Sequence, residues 1–480
     1  MAPSLGSIAL LRSQPTPGHR PHRESGGIGR RAGFRFQADI FLIARAGRLL
    51  KARVARGNEC KELTVSDRPH VVILGCGFGG VGACHRLSKA NVDITLIDKN
   101  DYHTFQPLIY QVATAELDAS TVGHPIRDLL HKHDNVRFHK AIVSGVDLEK
   151  KTVQIEGSDP LKYDYLIIGL GAQVNFFGVP GADEHAYPLY TIEHAVRLKK
   201  HILEVLEAAD KDPSLVDDGA LNVVVVGGGP TGVETAGALT DLFSVEFAQD
   251  YPNLPIDKAR IIIVDAGPAL LGPFKPNLQE YTKQAIEALG VELHLQNQVV
   301  EVTPSHAVLK SGETIPTHTV IWAAGLKANP VAQSLGVELG RGGRVPVEAD
   351  LSLAGHPEVF VVGDISQATD AKTGQVLPQL GSVGIQAGTH AAVNIMKSVD
   401  GKSTEPFCYH NKGTMATIGR NAAVVELPGG ITLTGELAWL AWGAVHLALL
   451  TGAESRASAL VDWSWELFTH QRSKRIDIEL

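Results

Sequence analysis

His70-Val71-Val72-Ile73-Leu74-Gly75-Cys76-Gly77-Phe78-Gly79-Gly80 sets a β-branched run directly before a G-x-G-x-x-G triplet, and Val223-Val224-Val225-Val226-Gly227-Gly228-Gly229-Pro230-Thr231-Gly232 repeats the arrangement in mid-chain. Each glycine has a physical task. The first lets a strand turn, the second lets backbone approach a pyrophosphate, and the third lets helix and strand touch. The helix that follows offers its free N–H groups to the phosphates. One copy alone is often only a turn. Here the run at 92–97 reads as a second strand ending at Asp98, and the run at 260–264 ends at Asp265, so each loop is followed by a carboxylate placed to meet a ribose hydroxyl. Gly79 and Lys99 belong to the first cradle and Thr231 to the second. The spacing therefore predicts two separate dinucleotide sites.

A fingerprint near the start and a second one embedded later fit the two-dinucleotide-binding flavoprotein plan, with FAD in the first site and a nicotinamide nucleotide in the second. Tyr163-Asp164-Tyr165-Leu166-Ile167-Ile168-Gly169-Leu170-Gly171 reads as a strand entering a glycine turn where the chain crosses between domains. Val359-Phe360-Val361-Val362-Gly363-Asp364 reads as a buried strand ending in Gly-Asp, which places Asp364 at the flavin nucleotide; the same carboxylate would also serve as a helix cap. The expected fold is α/β, with two Rossmann-like dinucleotide-binding domains and a C-terminal helical membrane-associating segment. The FAD-binding domain is expected over 67–190 and 340–404, the NADH-binding domain over 191–339, and the C-terminal region over 405–480.

A chain of 480 residues with 44% apolar content can bury the cores of two or three domains. Its formal charge of -8 implies no general affinity for nucleic acid. The first 66 residues are different: ten Arg and two Lys against four acids give them +8. They read as a disordered basic extension. Their composition matches a transit peptide, but no amphipathic pattern is sustained, which favours an uncleaved tail or a start placed too far upstream. Cys60, Cys76, Cys84 and Cys408 form no C-x-x-C pair, so neither a zinc ribbon nor a redox dithiol beside the flavin is indicated, and no metal site is assigned. A reduced, cytosol-facing setting follows.

Between the fingerprints, 100–114 reads as a polar and aromatic loop and the stretch up to 134 as helix-like. The runs 136–146 and 152–156 read as a small meander, 192–209 as a helix and 210–219 as a linker. A helix is expected over 277–289, with short strands near 291–295, 299–302 and 320–323. Four of the five tryptophans, Trp439, Trp442, Trp463 and Trp465, fall on two apolar stretches, 437–450 and 457–468, followed by Arg472, Lys474 and Arg475. Neither stretch is long enough to span a bilayer. Trp clusters and terminal cations suit a helix pair at the headgroup level. An ordinary buried hairpin or a dimer contact fits the same pattern, and Glu454, Asp462 and Glu466 interrupt its basic character.

From Pro69 to about Phe468 the chain resembles the type II NADH dehydrogenases, single-subunit NADH:quinone oxidoreductases that pump no protons, and looks most like actinobacterial members. The residues that carry the resemblance are Phe105-Gln106-Pro107-Leu108-Ile109-Tyr110-Gln111-Val112-Ala113-Thr114, Gly227-Gly228-Gly229-Pro230-Thr231-Gly232-Val233-Glu234, Trp322-Ala323-Ala324-Gly325 and Lys412-Gly413-Thr414-Met415-Ala416-Thr417-Ile418-Gly419-Arg420. The resemblance implies FAD and NADH as cofactors, quinone (menaquinone or ubiquinone type) as acceptor, and peripheral attachment by C-terminal helices. That attachment would be to the cytoplasmic face of the cell membrane, or to an organelle inner membrane if 1–66 is a transit peptide. A homodimer stays open. Two positions depart from the family pattern. Gly237-Ala238-Leu239 stands where a Gly-Glu-Leu or Gly-Gln triplet is usual, and Gly381-Ser382-Val383-Gly384-Ile385-Gln386 keeps only Gln386 of the quinone-side Ala-Gln…Gln motif.

The site residues follow. Gly171, Asp364 and Gln386 join the flavin side, and Gly325 the nucleotide sites. Glu234 is expected at the nicotinamide end, where as an early-helix carboxylate it would also favour the helix dipole. Asp265, followed by Ala266 and Gly267 with no adjacent cation, favours NADH over NADPH. Gln386 is expected to donate to a quinone carbonyl, with Tyr110 and Gln111 as wall residues, while the isolated His103 and His446 receive no role. Two other readings remain: a soluble NAD(P)H-dependent reductase of a small redox protein, which would not need the Trp-rich tail, and a non-catalytic flavin and NADH sensor, which would bind both and turn over neither.

Overall fold

Both glycine-flanked runs are central strands, and their composition explains why. In the first run, Val71 and Ile73 pack on one side with Ala83, Leu87, Ala387 and Ile395, while Val72 and Leu74 pack on the other with Val146, Val153 and Val331. In the second, Val223 and Val225 face one apolar cluster and Val224 and Val226 another. A strand covered on both faces needs an unbroken apolar run, which is the mark of a parallel sheet. Each such side chain contributes about 1.5–3 kcal/mol by its burial.

This computed structural model describes residues 67–469, 471–472 and 474–476; the basic extension expected over 1–66 lies outside the described residues. The first sheet has six strands in the order Ser352–Leu353, His356–Val361, Tyr165–Ile168, His70–Leu74, Asp93–Asp98, Val136–Lys140. Only the edge pair Ser352–Leu353 with His356–Val361 is antiparallel. The second sheet is parallel throughout, in the order Ala186–Pro188, Thr319–Trp322, Asn222–Val226, Arg260–Asp265, Glu292–Leu295. A two-stranded antiparallel ribbon, Ala172–Val174 with Leu326–Ala328, stands between the two sheets in the chain order, and all second-sheet strands fall between its two halves.

Four local expectations change. The run 136–146 is not one strand: Val136–Lys140 closes the edge of the six-stranded sheet, and Val143–Asp147 pairs with Thr152–Ile155 in a three-stranded meander completed by Leu161–Lys162. The helix-like stretch before 134 is broken at Gly123–Pro125, which pairs with Tyr102–Thr104, because Pro125 cannot continue a helix. The helix Ile192–Lys211 runs into the expected linker, where Ser214–Asp217 adds a further turn. Strand Ala186–Pro188 belongs to the second sheet, although the sequence reading put it with the first domain.

Helix Gly381–Val399 lies against helix Phe78–Leu87 at glycines. A Cβ at Gly388 would overlap the Gly79 carbonyl, and one at Gly82 would overlap the Ile385 carbonyl. This close approach brings Leu380 and Gly381 to the first glycine loop. The C-terminal region begins with an antiparallel sheet, Thr414–Thr417, Ala423–Glu426 and Thr432–Thr434, followed by helices Gly435–Leu449 and Ala453–Thr469. Among the described residues no helix is long and apolar enough to cross a membrane.

Candidate active site

The two glycine loops solve the same problem with the same atoms. Gly75 (φ 91°) and Gly227 (φ 114°) turn through backbone conformations that favour glycine. A Cβ at Gly80 would overlap the Gly75 carbonyl oxygen, and one at Gly232 the Gly227 carbonyl oxygen. A Cβ at Gly77 or Gly229 would meet nothing within 4 Å, so there the backbone is open to a ligand. The acids are matched as well. Asp98 accepts from the Cys76 N–H at 2.6 Å and the Asn100 N–H at 2.8 Å, and Asp265 accepts from the Gly228 and Gly267 N–H groups, both at 2.6 Å. Burial pushes the Asp98 carboxyl above its ordinary range.

A polar cleft runs along the first loop. Gly75, Gly77, Gly79, Asp98, Lys99, Gly171 and Asp364 line it, as the sequence placed them; Gly80 lies beneath, in the helix–strand contact. Sequence reasoning missed Tyr190, whose hydroxyl donates to Asp364 at 3.1 Å, and Gln379, whose amide donates to the Asp364 carbonyl at 2.9 Å. Asp364 opens only a short 3-10 turn, Gly363–Ile365. His103 bonds the Cys76 carbonyl at 2.7 Å, a packed histidine beneath the loop. Gly325 lies under the Phe177 ring, and Phe177 itself takes a left-handed φ of 53°.

Glu234 is placed differently from the expectation. It stands beyond the first turn of helix Pro230–Asp241, buried, and faces an apolar cavity of about 320 Å³ rather than the glycine loop. Burial pushes its carboxyl up to about 8, while the Thr417 amide (3.3 Å) and the Trp442 indole pull the other way. A carboxyl neutral at pH 7 is no partner for a helix dipole. Tyr110 and Gln111 share the wall: the Tyr110 hydroxyl lies 3.0 Å from Thr417 Oγ1, and the Trp463 indole donates to the Gln111 side chain at 3.1 Å. Trp439, Trp442, Leu440, Leu447 and Leu460 from the C-terminal helices complete it.

Gln386 is not brought to either cavity. Its amide donates to the His410 carbonyl and accepts from the His410 N–H, both at 3.0 Å, so both ends are used to clip helix Gly381–Val399 to the following segment. Ser382 likewise bonds the Tyr409 hydroxyl at 2.9 Å. The tail also departs from the reading of free cations. Arg472 is buried and pairs with Glu116 (3.3 Å), Glu466 (2.9 Å), Glu246 (3.7 Å) and Asp241 (3.9 Å), Lys474 pairs with Asp462, and Arg475 with Asp250. Trp442 points inward, stacked on His446 at 4.3 Å, and Trp463 faces the cavity; of the four C-terminal tryptophans only Trp465 is more than half exposed. Burial lowers His446 to about 4, so it is neutral. The outer face is instead apolar: Leu437, Leu440, Leu449, Leu460, Val461 and Phe468 are all more than half exposed.

Residues 69–388 match the family model for pyridine nucleotide-disulphide oxidoreductases, and residues 411–470 match that of the NDH2 C-terminal domain. The type II NADH:quinone oxidoreductase NdhA of Mycobacterium tuberculosis is 38% identical over 83% of this chain and 87% of its own. The chain belongs to the type II NADH:quinone oxidoreductase family. The Staphylococcus haemolyticus member is 30% identical over 78% of this chain and 92% of its own. NDH2 from Plasmodium falciparum, solved in complex with NADH, superposes with a TM-score of 0.79 at 21% identity, covering 85% of this chain and all of that one. A sulfide:quinone oxidoreductase from Aquifex aeolicus shares the fold at a TM-score of 0.65 and 19% identity, over 84% of this chain and 96% of that one. The family match at 411–470 spans the C-terminal sheet and helices that wall the apolar cavity.

Proposed function

We propose that this chain is an enzyme that oxidises NADH through a bound FAD and reduces a membrane quinone, without pumping protons. One observation carries the reading: two sheets present identical glycine cradles, and an apolar cavity with a buried acid opens under the C-terminal helices. The first cradle fits FAD, since its middle glycine is open to a pyrophosphate, Asp98 is poised at the ribose, and Asp364 with Tyr190 continues the polar cleft. FAD bound there would supply the two-electron relay between a nicotinamide and a quinone. Gly227, Gly229, Thr231 and Gly232 would hold the NADH pyrophosphate, with Asp265 on the ribose and Gly325 beside it. Asp265 has Ala266 rather than a cation next to it, so a 2′-phosphate meets only negative charge.

The FAD-binding domain on this reading is the six-stranded sheet with its helices, and the NADH-binding domain is the stretch between the ribbon strands Ala172–Val174 and Leu326–Ala328. The quinone head enters the cavity walled by Tyr110, Gln111, Glu234 and the C-terminal tryptophans. The exposed apolar face of helices Gly435–Leu449 and Ala453–Thr469 supports a peripheral seat on a membrane, through buried apolar area rather than through cations.

Stopped-flow mixing of the FAD-loaded protein with NADH, then with a menaquinone or ubiquinone analogue in detergent, tests the assignment. Flavin absorbance should bleach and then return. Bleaching that neither quinone reverses removes the quinone and favours a protein acceptor. In sedimentation with liposomes the chain should pellet; a soluble reductase would stay in the supernatant.

A further inference from the structure

The cavity under the C-terminal helices has four acids in its wall, Glu116, Glu234, Asp241 and Glu466, of which Glu234 and Glu116 have the least exposed side chains. Glu234 reaches it from helix Pro230–Asp241 and Glu116 from the loop after helix Ile109–Ala113, so the two enter from different elements. Glu116 is held by Arg472 at 3.3 Å and by the Thr114 hydroxyl at 3.3 Å. Four carboxylates, Glu116, Asp241, Glu246 and Glu466, surround Arg472, and Arg420, 3.0 Å from Glu466, is the second cation. Among the described residues the four acids around Arg472 outnumber the guanidinium groups in contact with them, and the least costly remedy for excess negative charge away from water is to keep protons on carboxyls.

We propose that Glu116 is a proton donor to the quinone, delivering one of the two protons that reduction consumes while Glu234 delivers the other. The inference rests on the reading of this cavity as the acceptor site. A quinone becomes a hydroquinone by taking two electrons and two protons, one proton on each carbonyl oxygen. The electrons come from NADH by way of the bound FAD. At each oxygen a new O–H bond forms while the O–H bond of one carboxylic acid breaks, leaving two carboxylates that solvent later reprotonates. The carbonyls of a para-quinone lie at opposite ends of the ring, so two donors carried by different elements suit them. The surface that the cavity wall presents is mostly apolar, with three tryptophans and four leucines in it, which favours side chains over bulk water as the proton source. Burial, the main cause in both cases, raises both carboxyls, Glu234 to about 8 and Glu116 well above the ordinary carboxylate range against the pull of Arg472, and so favours their protonated forms. Charged and titratable neighbours act on them: Arg472 favours the Glu116 carboxylate, Glu466 and Asp241 oppose it, Glu116 opposes the ionisation of Glu234, and both raise Tyr110. Once its proton has left, Glu116 keeps Arg472 as counter-ion.

The test uses full-length, FAD-loaded wild type, Glu116→Gln and Glu116→Asp. In quinone reduction, kcat of wild type should fall above pH about 8, where the acids empty, with a two-proton slope. Glu116→Gln should lower kcat about 100-fold, the low end of the usual gain from a positioned acid, and reduce the slope to one proton; Glu116→Asp should restore part of the rate. The infrared difference spectrum on reduction should show a protonated-carboxyl band at pH 7 that Glu116→Gln loses. A Glu116→Gln enzyme with wild-type kcat, slope and band overturns the proposal and leaves Glu116 a structural partner of Arg472. Should Glu116→Gln not fold, the alkaline limb of Glu116→Asp reads the same proton, and a limb unmoved from wild type overturns the proposal equally. Wild type that reduces ferricyanide but no quinone sinks the acceptor reading instead, and the infrared band then decides on its own whether Glu116 stores a proton.

Discussion

Replacing Glu234 by Gln should make the protein more stable at high pH, by an amount the structure sets. The carboxyl titrates near 8 in the folded chain because it is buried, with only the Thr417 amide and the Trp442 indole to offset that burial. In the unfolded chain it titrates near the ordinary 4.5. The folded state therefore binds the proton more tightly, so between those two values each rise in pH opposes folding by about 1.4 kcal/mol per unit. From pH 5 to pH 8 the integrated loss is about 3.5 kcal/mol, allowing for partial titration at each end. Gln keeps the acceptor oxygen for the Thr417 N–H and carries no titration. The advantage of Glu234→Gln over wild type should thus grow by about 3.5 kcal/mol between pH 5 and pH 8. With an unfolding entropy of about 2.1 cal/mol/K per residue over about 400 residues, this is a gap of about 4 °C in Tm. Differential scanning calorimetry at pH 5, 6.5 and 8 on both proteins measures it. Buried acids that do not interact with Glu234 act in both proteins and cancel to first order. A Tm difference that does not change with pH would refute the reasoning, because it would mean that the folded carboxyl titrates as an exposed one does.

Three further outcomes follow from the geometry. Asp265→Ala removes the carboxylate that bridges Gly228 and Gly267, so the ratio of kcat/KM for NADPH to that for NADH should rise at least tenfold, about 1.4 kcal/mol; steady-state kinetics with both nucleotides reads it, and an unchanged ratio frees Asp265 from that role. Gly80→Ala forces a methyl into the Gly75 carbonyl, at a cost of about 1–3 kcal/mol, and the purified protein should retain less FAD by absorbance ratio; full retention would mean that the helix and strand can part without harm. Gln386→Leu removes two exposed hydrogen bonds to His410, whose N–H and carbonyl then turn to water, so Tm should fall by an amount corresponding to about 0.5–1.5 kcal/mol, with quinone and ferricyanide reduction affected alike; selective loss of quinone reduction would return Gln386 to the acceptor site.

The readable parts of the sequence were those where one local rule decides. A β-branched run followed by spaced glycines has few alternatives to strand, turn and helix, and an acid at the end of the next strand completes the unit; both copies fold as read, down to the matched hydrogen bonds of Asp98 and Asp265. Errors came where tertiary contact decides. The stretch 136–146 alternates like one strand, yet its two halves serve different sheets. Arg472 looks like a terminal cation in sequence because nothing nearby in the chain announces that Glu116, Asp241 and Glu246 converge on it from far upstream. Gln386 matched a motif by spacing, while its hydrogen-bond partner, His410, lies 24 residues away. Glu116 directly follows a quoted motif by two residues, and a carboxylate so placed in an apolar helix–loop run was the available signal.

The departure at Gly237-Ala238-Leu239 acquires a physical reason from the packing. A Cβ at Gly237 would run into the backbone of Gly419, so glycine there is what lets the C-terminal sheet lie on helix Pro230–Asp241. Ala238, the next residue, lines the cavity, and its carbonyl accepts from the Arg472 guanidinium at 2.8 Å. A long acidic side chain at 238 would project into the same cavity beside Glu234 and add a fifth carboxylate to the four already around Arg472. With alanine at that step, the tail can insert its arginine, and Glu116 can reach the cavity wall from the loop on the other side. The polar group expected on the helix is thus supplied from a different element, and the arginine that makes this tolerable comes from the irregular segment after helix Ala453–Thr469.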